Sequence, residues 1–207
     1  MIYLDYSATT KASDEVLDAF IKSSKEFIGN PNSLHKLGIN SKNLIDIATK
    51  QIANLLKVNE NEIIYTSGAS ESNNLAIKGI CTQYKNRGKH IVTTILEHSS
   101  VSEPIKYLES IGYIVDYVKL DSNGLIDLAD LENLIRDDTI LVSICAVNSE
   151  TGIKQPIDKI SNIVRKYPKC FLHCDMTQAI GKINIDISNI DLASFSAHKF
   201  FGIKGIG

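Results

Sequence analysis

Short runs rich in Ile and Val alternate along this chain with longer segments whose apolar residues recur every three or four positions. The short runs predict strands over 62–66 (EIIYT), 90–94 (HIVTT), 113–118 (YIVDYV), 140–146 (ILVSICA), 170–174 (CFLHC) and 192–196 (LASFS). The intervening segments predict helices over 13–27, 41–56, 71–84, 101–110, 128–135 and 157–167. In the second of these, Leu44, Ile45, Ile47, Ala48, Ile52, Leu55 and Leu56 fall near helical spacing. Strand, helix, strand, repeated, predicts an α/β sheet covered by helices on both faces. The strands are too continuously apolar for a sheet with one wet face.

Charge and length exclude several functions. With 22 basic against 24 acidic residues and no basic block, a nucleic-acid partner is not expected. No apolar run reaches 18 residues, so no membrane span is expected. The start, MIYLDYSATT, lacks a basic region followed by an apolar one, so a cytoplasmic location is expected. The 207 residues, 43% hydrophobic, suffice for one sizeable core. Cys81, Cys145, Cys170 and Cys174 have no CxxC spacing and read as buried reduced thiols, so no metal site is expected. The end at Gly205-Ile206-Gly207 reads as a cut through a domain.

In open α/β sheets ligands bind beyond the carboxyl ends of the strands, so the residues that follow each strand carry the functional signal. After 62–66 come Ser67, Gly68, Ala69 and Ser70, small and hydroxylated at a helix start, a setting for a phosphate. After 90–94 comes Glu97-His98, and a histidine there can stack on a flat ring or move protons. After 140–146 come Asn148 and Ser149, polar groups suited to ring substituents. After 170–174 come Asp175 and Gln178; a carboxylate there can protonate a pyridine nitrogen and improve its electron sink. After 192–196 come His198 and Lys199, whose amine can form a Schiff base with an aldehyde. Each group alone has an ordinary explanation as a cap, a turn residue or a solvated side chain. Their convergence at consecutive strand ends points to a pyridoxal 5'-phosphate (PLP) enzyme with Lys199 as the cofactor-carrying lysine.

The stretches YLDYSATT (3–10), GNPNSLH (29–35), TSGASESNNLAIKG (66–79), Glu97-His98, VNSETG (147–152), HCDMTQAIGK (173–182) and SFSAHKFFGIKGIG (194–207) resemble the cysteine desulfurases, class V aminotransferase relatives of PLP fold type I. The resemblance implies a three-layer α/β sandwich with a mostly parallel mixed sheet, forming an incomplete large domain over 1–207 with an N-terminal segment at 1–12. The small domain and the loop with the catalytic cysteine would lie beyond the chain end. It implies that Lys199 carries the cofactor and moves the Cα proton, and that His98 stacks on the ring. Asp175 would pair with the ring nitrogen, and Gln178 with the phenolic oxygen. Ala69, Ser70, Ser196 and His198 would hold the phosphate, and Asn148 and Ser149 would face the cofactor. Ser149 departs from the family's usual second asparagine. The implied reaction takes L-cysteine to L-alanine and passes sulfur, as a persulfide, to an iron–sulfur scaffold or tRNA-thiolation enzyme, in a homodimer. No cysteine of this chain matches the family's sulfur acceptor, so the chain alone is expected to be inactive. A selenocysteine lyase, an aminotransferase, or a non-catalytic PLP-binding partner subunit are the alternatives.

Overall fold

The structure, a computed structural model, describes residues 2–207. Five strands form one sheet: β1 His90–Thr93, β2 Ile114–Tyr117, β3 Thr139–Cys145, β4 Phe171–Asp175 and β5 Leu192–Ser194. Their order is β2-β1-β3-β4-β5 and every pair is parallel. The expectation was a mostly parallel mixed sheet; the sheet is parallel throughout, and among the described residues antiparallel pairing occurs only as isolated bridges, such as Leu120 with Ile126. The chain runs outward from β1 to β2 and then crosses back to β3. That reversal opens a crevice at the carboxyl ends of β1 and β3.

Six helices, α1 Asp14–Glu26, α2 Lys36–Leu56, α3 Ala69–Gln83, α4 Ser99–Ser110, α5 Leu128–Leu134 and α6 Ile157–Val164, follow the expected segments. Side chains alternate across a strand, so neighbours on β1 and β3 enter different cores. Ile91 and Leu141 pack with Ile77 and Cys81 of α3 and with Val101, Ile105 and Leu108 of α4. Val92, Val142 and Leu172 pack with Leu131 of α5 and with Ile157 and Ile160 of α6 on the other face. Each such side chain contributes about 1.5–3 kcal/mol of burial. β2 is an edge strand, with Ile114 and Tyr117 exposed, as its single neighbour dictates.

Two helix boundaries moved by more than two residues, and one expected strand is missing. α2 starts at Lys36 because His35 caps it, its Nδ1 accepting from Gly38 N at 3.3 Å. α6 stops at Val164, short of Pro168, which disfavours helix at the residue before it. The segment 62–66 is no strand: a 3-10 turn covers Glu60–Glu62, and Ile64 is 68% exposed. Its one ladder partner among the described residues is Gly207, which exchanges two backbone hydrogen bonds with Thr66. An apolar run without a neighbouring strand has nothing to satisfy its amides and stays irregular. All four cysteines are free and buried.

Candidate active site

A cavity of about 440 Å³ opens at the carboxyl ends of the strands, a volume suited to a small cofactor. Its wall brings together the groups singled out after separate strands: Ala69 and Ser70, His98, Asn148 and Ser149, Asp175 and Gln178, and Ser196, His198 and Lys199. The site is thus built from residues distant in sequence but placed at one sheet edge by a common strand direction.

Lys199 ends a 3-10 turn, Ala197–Lys199, that follows β5. Its Nζ donates to the carbonyl of Ser7 in the N-terminal segment. Burial lowers the amine below its ordinary value, while the carboxylates of Asp175 and Asp5 oppose the shift. A lowered amine spends more time unprotonated and nucleophilic. The N-terminal segment fastens this turn: Thr10 N and Oγ1 both donate to the His198 carbonyl, at 2.8 and 2.9 Å. Phe201 N donates to Thr10 Oγ1 at 2.7 Å, and Ser13 N to the Phe201 carbonyl at 3.0 Å. Phe201 has φ +66°, a left-handed conformation that costs a non-glycine residue about 1–2 kcal/mol. Thr10 and Ser13 hold it there.

Asp175 ends β4 and is 5% exposed. Its Oδ2 accepts from Asn73 Nδ2 at 2.9 Å and its Oδ1 from Thr177 N at 3.0 Å. Two residues earlier, buried His173 bridges Ser143 Oγ of β3 at 2.8 Å and Ser194 Oγ of β5 at 3.0 Å. Burial pushes the His173 imidazole down to about 4, with Asp175 opposing, so a neutral polar row braces the strand below the carboxylate.

The start of α3 forms a cup in the cavity wall. No side chain caps the helix, and its N-cap is Gly68 at φ +152°, where a Cβ would lie 3.3 Å from Ser196 Oγ. Ala69 N donates to Ser196 Oγ at 2.6 Å, which ties the cup to the end of β5. His198 accepts or donates at Thr9 Oγ1, 3.0 Å from Nδ1, and is lowered by burial and by the cations Lys199 and Lys204.

Across the cavity, His98 caps α4, its Nδ1 accepting from Ser100 N at 3.1 Å. Asn148 lines the cavity, but its amide is committed: Oδ1 accepts from Glu150 N and from Thr151 N and Oγ1, and Nδ2 donates to the Leu96 carbonyl. Ser149 carries no such bond and is the more available of the pair. Gln178 Nε2 donates to the Ser7 carbonyl at 2.8 Å and its Oε1 accepts from Lys182 Nζ. Residue-by-residue reading overlooked Asn73, Ser100, Ser7 and Glu97 as supports. Glu97 Oε1 accepts from Thr94 Oγ1 and from Cys145 N, while burial pushes the carboxyl up to about 7, helped by Asp175.

These residues suit a small anionic aldehyde. One volume is faced by an amine, a carboxylate and an uncapped helix start. Thr177 Oγ1 is buried in the wall without a partner, a hydroxyl that a ligand would satisfy. Fold and cavity together define a parallel α/β domain with a lysine-bearing ligand crevice at its topological switch point. The chain belongs to the class V aminotransferase family, whose sequence profile, described as "Aminotransferase class-V", matches residues 2–207. The family is PLP-dependent.

The cysteine desulfurase IscS of Buchnera aphidicola subsp. Acyrthosiphon pisum is 48% identical over 211 residues, covering 100% of this chain and 52% of that protein. The cysteine desulfurase IscS of Ehrlichia chaffeensis is 45% identical, again over 100% of this chain and 50% of its own length. Among solved structures, a NifS-like protein superposes with a TM-score of 0.96 at 42% identity, over 100% of this chain and 57% of that one. The structure titled "SspA in complex with cysteine" superposes with a TM-score of 0.94 at 37% identity, over 60% of its chain. The chain spans about half the length of the curated relatives it matches. Among the described residues no helix is long and apolar enough to cross a membrane.

Proposed function

We propose that this chain is the PLP-binding large-domain portion of a cysteine desulfurase, acting on L-cysteine to give L-alanine and passing the sulfur to a cysteine thiolate. The observation that carries the reading is the convergence of Lys199, Asp175 and the start of α3 on one cavity. The sequence likeness to proteins named cysteine desulfurase supports the substrate. PLP would be held covalently by Lys199, by Asp175 at the ring nitrogen, by His98 against the ring, and by Ala69, Ser70, Ser196 and His198 at the phosphate. Gln178 and Ser149 would meet the phenolic oxygen, with Asn148 shaping the turn beneath. Bound there, PLP supplies an electron sink for negative charge at the substrate Cα.

Lys199 takes the Cα proton, a task suited to an amine lowered by burial. Asp175, fixed by Asn73 and Thr177, would present its carboxyl to the ring nitrogen. His98 is placed to pass protons at the substrate. No cysteine of this chain is exposed, and burial raises all four thiols, so the sulfur acceptor is a thiol from elsewhere in the functional enzyme. The segment 1–12 belongs to this domain, its Ser7, Thr9 and Thr10 fastened to the Lys199 turn, and the small domain with the acceptor loop completes the enzyme. A homodimer in the cytoplasm fits the apolar side chains left exposed on and beside α2, such as Leu34, Ile47 and Leu55. An iron–sulfur scaffold or a tRNA-thiolation enzyme would receive the sulfur.

The test is borohydride reduction of the chain after PLP is added, followed by peptide mass spectrometry. The cofactor mass is expected on Lys199, and Lys199→Ala is expected to lose both it and the absorbance of bound PLP. A label spread over surface lysines, unchanged in Lys199→Ala, would refute the reading.

A further inference from the structure

Asn73 lies in the second turn of α3 and is 0% exposed. Its Nδ2 donates to Asp175 Oδ2 at 2.9 Å and to Ser100 Oγ at 2.9 Å. The chemistry of the partners fixes which end of the amide points where. Both Asp175 oxygens accept, Oδ1 from Thr177 N, so a flipped amide would set two acceptors face to face. Ser100 Oγ receives one N–H from Asn73, and its own hydrogen is then available for its other neighbour, His98 Nδ1, 2.8 Å away. That nitrogen also accepts from Ser100 N. A ring nitrogen that accepts carries no proton, so neutral His98 holds its hydrogen on Nε2.

We propose that Asn73 is a positioning residue that, through one shared amide, fixes the orientation of Asp175 and aims the Ser100 hydroxyl hydrogen at His98 Nδ1, reinforcing the tautomer that the Ser100 backbone N–H already selects. The proposal rests on the reading above, in which these two side chains face the cofactor ring. The amide ties α3, the start of α4 and the end of β4 together at the wall of the cavity. One cost marks it as more than packing: Asn73 Oδ1 is buried with no partner. A buried acceptor left unmet is unfavourable, and a leucine of similar size would avoid it. The amide is explained by its two N–H bonds.

The test reads the ring nitrogens of His98 directly, in the ¹⁵N-labelled chain without cofactor, by long-range ¹H–¹⁵N correlation at about pH 8, where an ordinary histidine is neutral. His98→Gln assigns the signals. The unaltered chain is expected to show one tautomer, with hydrogen on Nε2. The backbone N–H of residue 100 keeps that tautomer in every variant, so Asn73→Leu is expected to move the Nδ1 signal toward that of a nitrogen with one hydrogen bond fewer, Ser100→Ala likewise, and Ser100→Thr to leave it in place. Hydrogen on Nδ1 in the unaltered chain, or an unmoved Nδ1 signal in folded Asn73→Leu, would overturn the proposal. Circular dichroism reports folding; should Asn73→Leu not fold, an unmoved Nδ1 signal in Ser100→Ala overturns it instead. In a PLP titration Asn73→Leu is expected to raise the dissociation constant about tenfold, the effect of one hydrogen bond to a charged group. Equal affinity would remove the link to the site. Failure of the unaltered chain to bind PLP would sink the functional reading and leave the tautomer result standing.

Discussion

Replacing Glu97 by Gln tests how the cavity wall handles charge. The carboxyl is pushed from 4.5 up to about 7 by burial, with Asp175 adding repulsion; the hydrogen bonds from Cys145 N and Thr94 Oγ1 only partly offset this. Its Oε2 is buried with no partner, which is tolerable for a protonated acid and costly for an anion. The native state therefore holds a proton that the unfolded chain gives up near 4.5. Stability falls as pH rises between those two values, because the folded form binds more protons there. At about 1.4 kcal/mol per pH unit, the loss between about pH 4.5 and about pH 8 approaches 3 kcal/mol. Glu97→Gln keeps an oxygen to accept from Cys145 N and Thr94 Oγ1 and cannot ionise. Relative to the unaltered chain, the variant is expected to gain about 3 kcal/mol over that range. Urea unfolding at a series of pH values measures it, and taking the difference of two curves cancels the other titrating groups. His173, lowered to about 4, acts in the opposite sense at acid pH and cancels in the same way. Parallel curves for the two proteins would refute the buried-acid argument.

Asp175→Asn removes the charge that opposes the lowering of Lys199, so the midpoint for reductive methylation of Lys199, followed by mass spectrometry, is expected to move to lower pH; an upward move would contradict the assigned causes. Thr10→Val removes the oxygen that accepts from Phe201 N and donates to the His198 carbonyl, and is expected to cost about 1–3 kcal/mol in denaturant while speeding hydrogen exchange at Phe201. The chain by itself, supplied with PLP and L-cysteine, is expected to release no sulfide under mild reductant, because all four of its thiols are buried; sustained alanine and sulfide production would contradict this.

The strands were legible where apolar residues ran together, as in Ile140-Leu141-Val142 of β3, because a strand buried on both faces favours apolar residues on either side and admits a polar one, such as Ser143, only where it is hydrogen-bonded. The same criterion misled at Ile63 and Ile64, where the apolar run is present but no neighbouring strand is. The groups that line the cavity were legible because most of them sit just past a strand, a local signal combined with a general rule about α/β crevices; Ala69 and Ser70 follow an irregular segment instead. Asn148 shows the limit of that reading: it lines the cavity as expected, yet its amide closes its own turn.

Local pattern by itself determined the alternation of strand and helix, the α/β layering and the residue types presented beyond most strands, since these follow from side-chain periodicity and short-range turn chemistry. Only the tertiary structure decided which donors meet which acceptors: Asn73 with Asp175 across 102 positions, Ala69 with Ser196 across 127, Thr10 with His198 across 188. Hydrogen bonds are directional and short, so such partners are chosen by where packing leaves two polar atoms within about 3 Å, and no spacing along the chain records that.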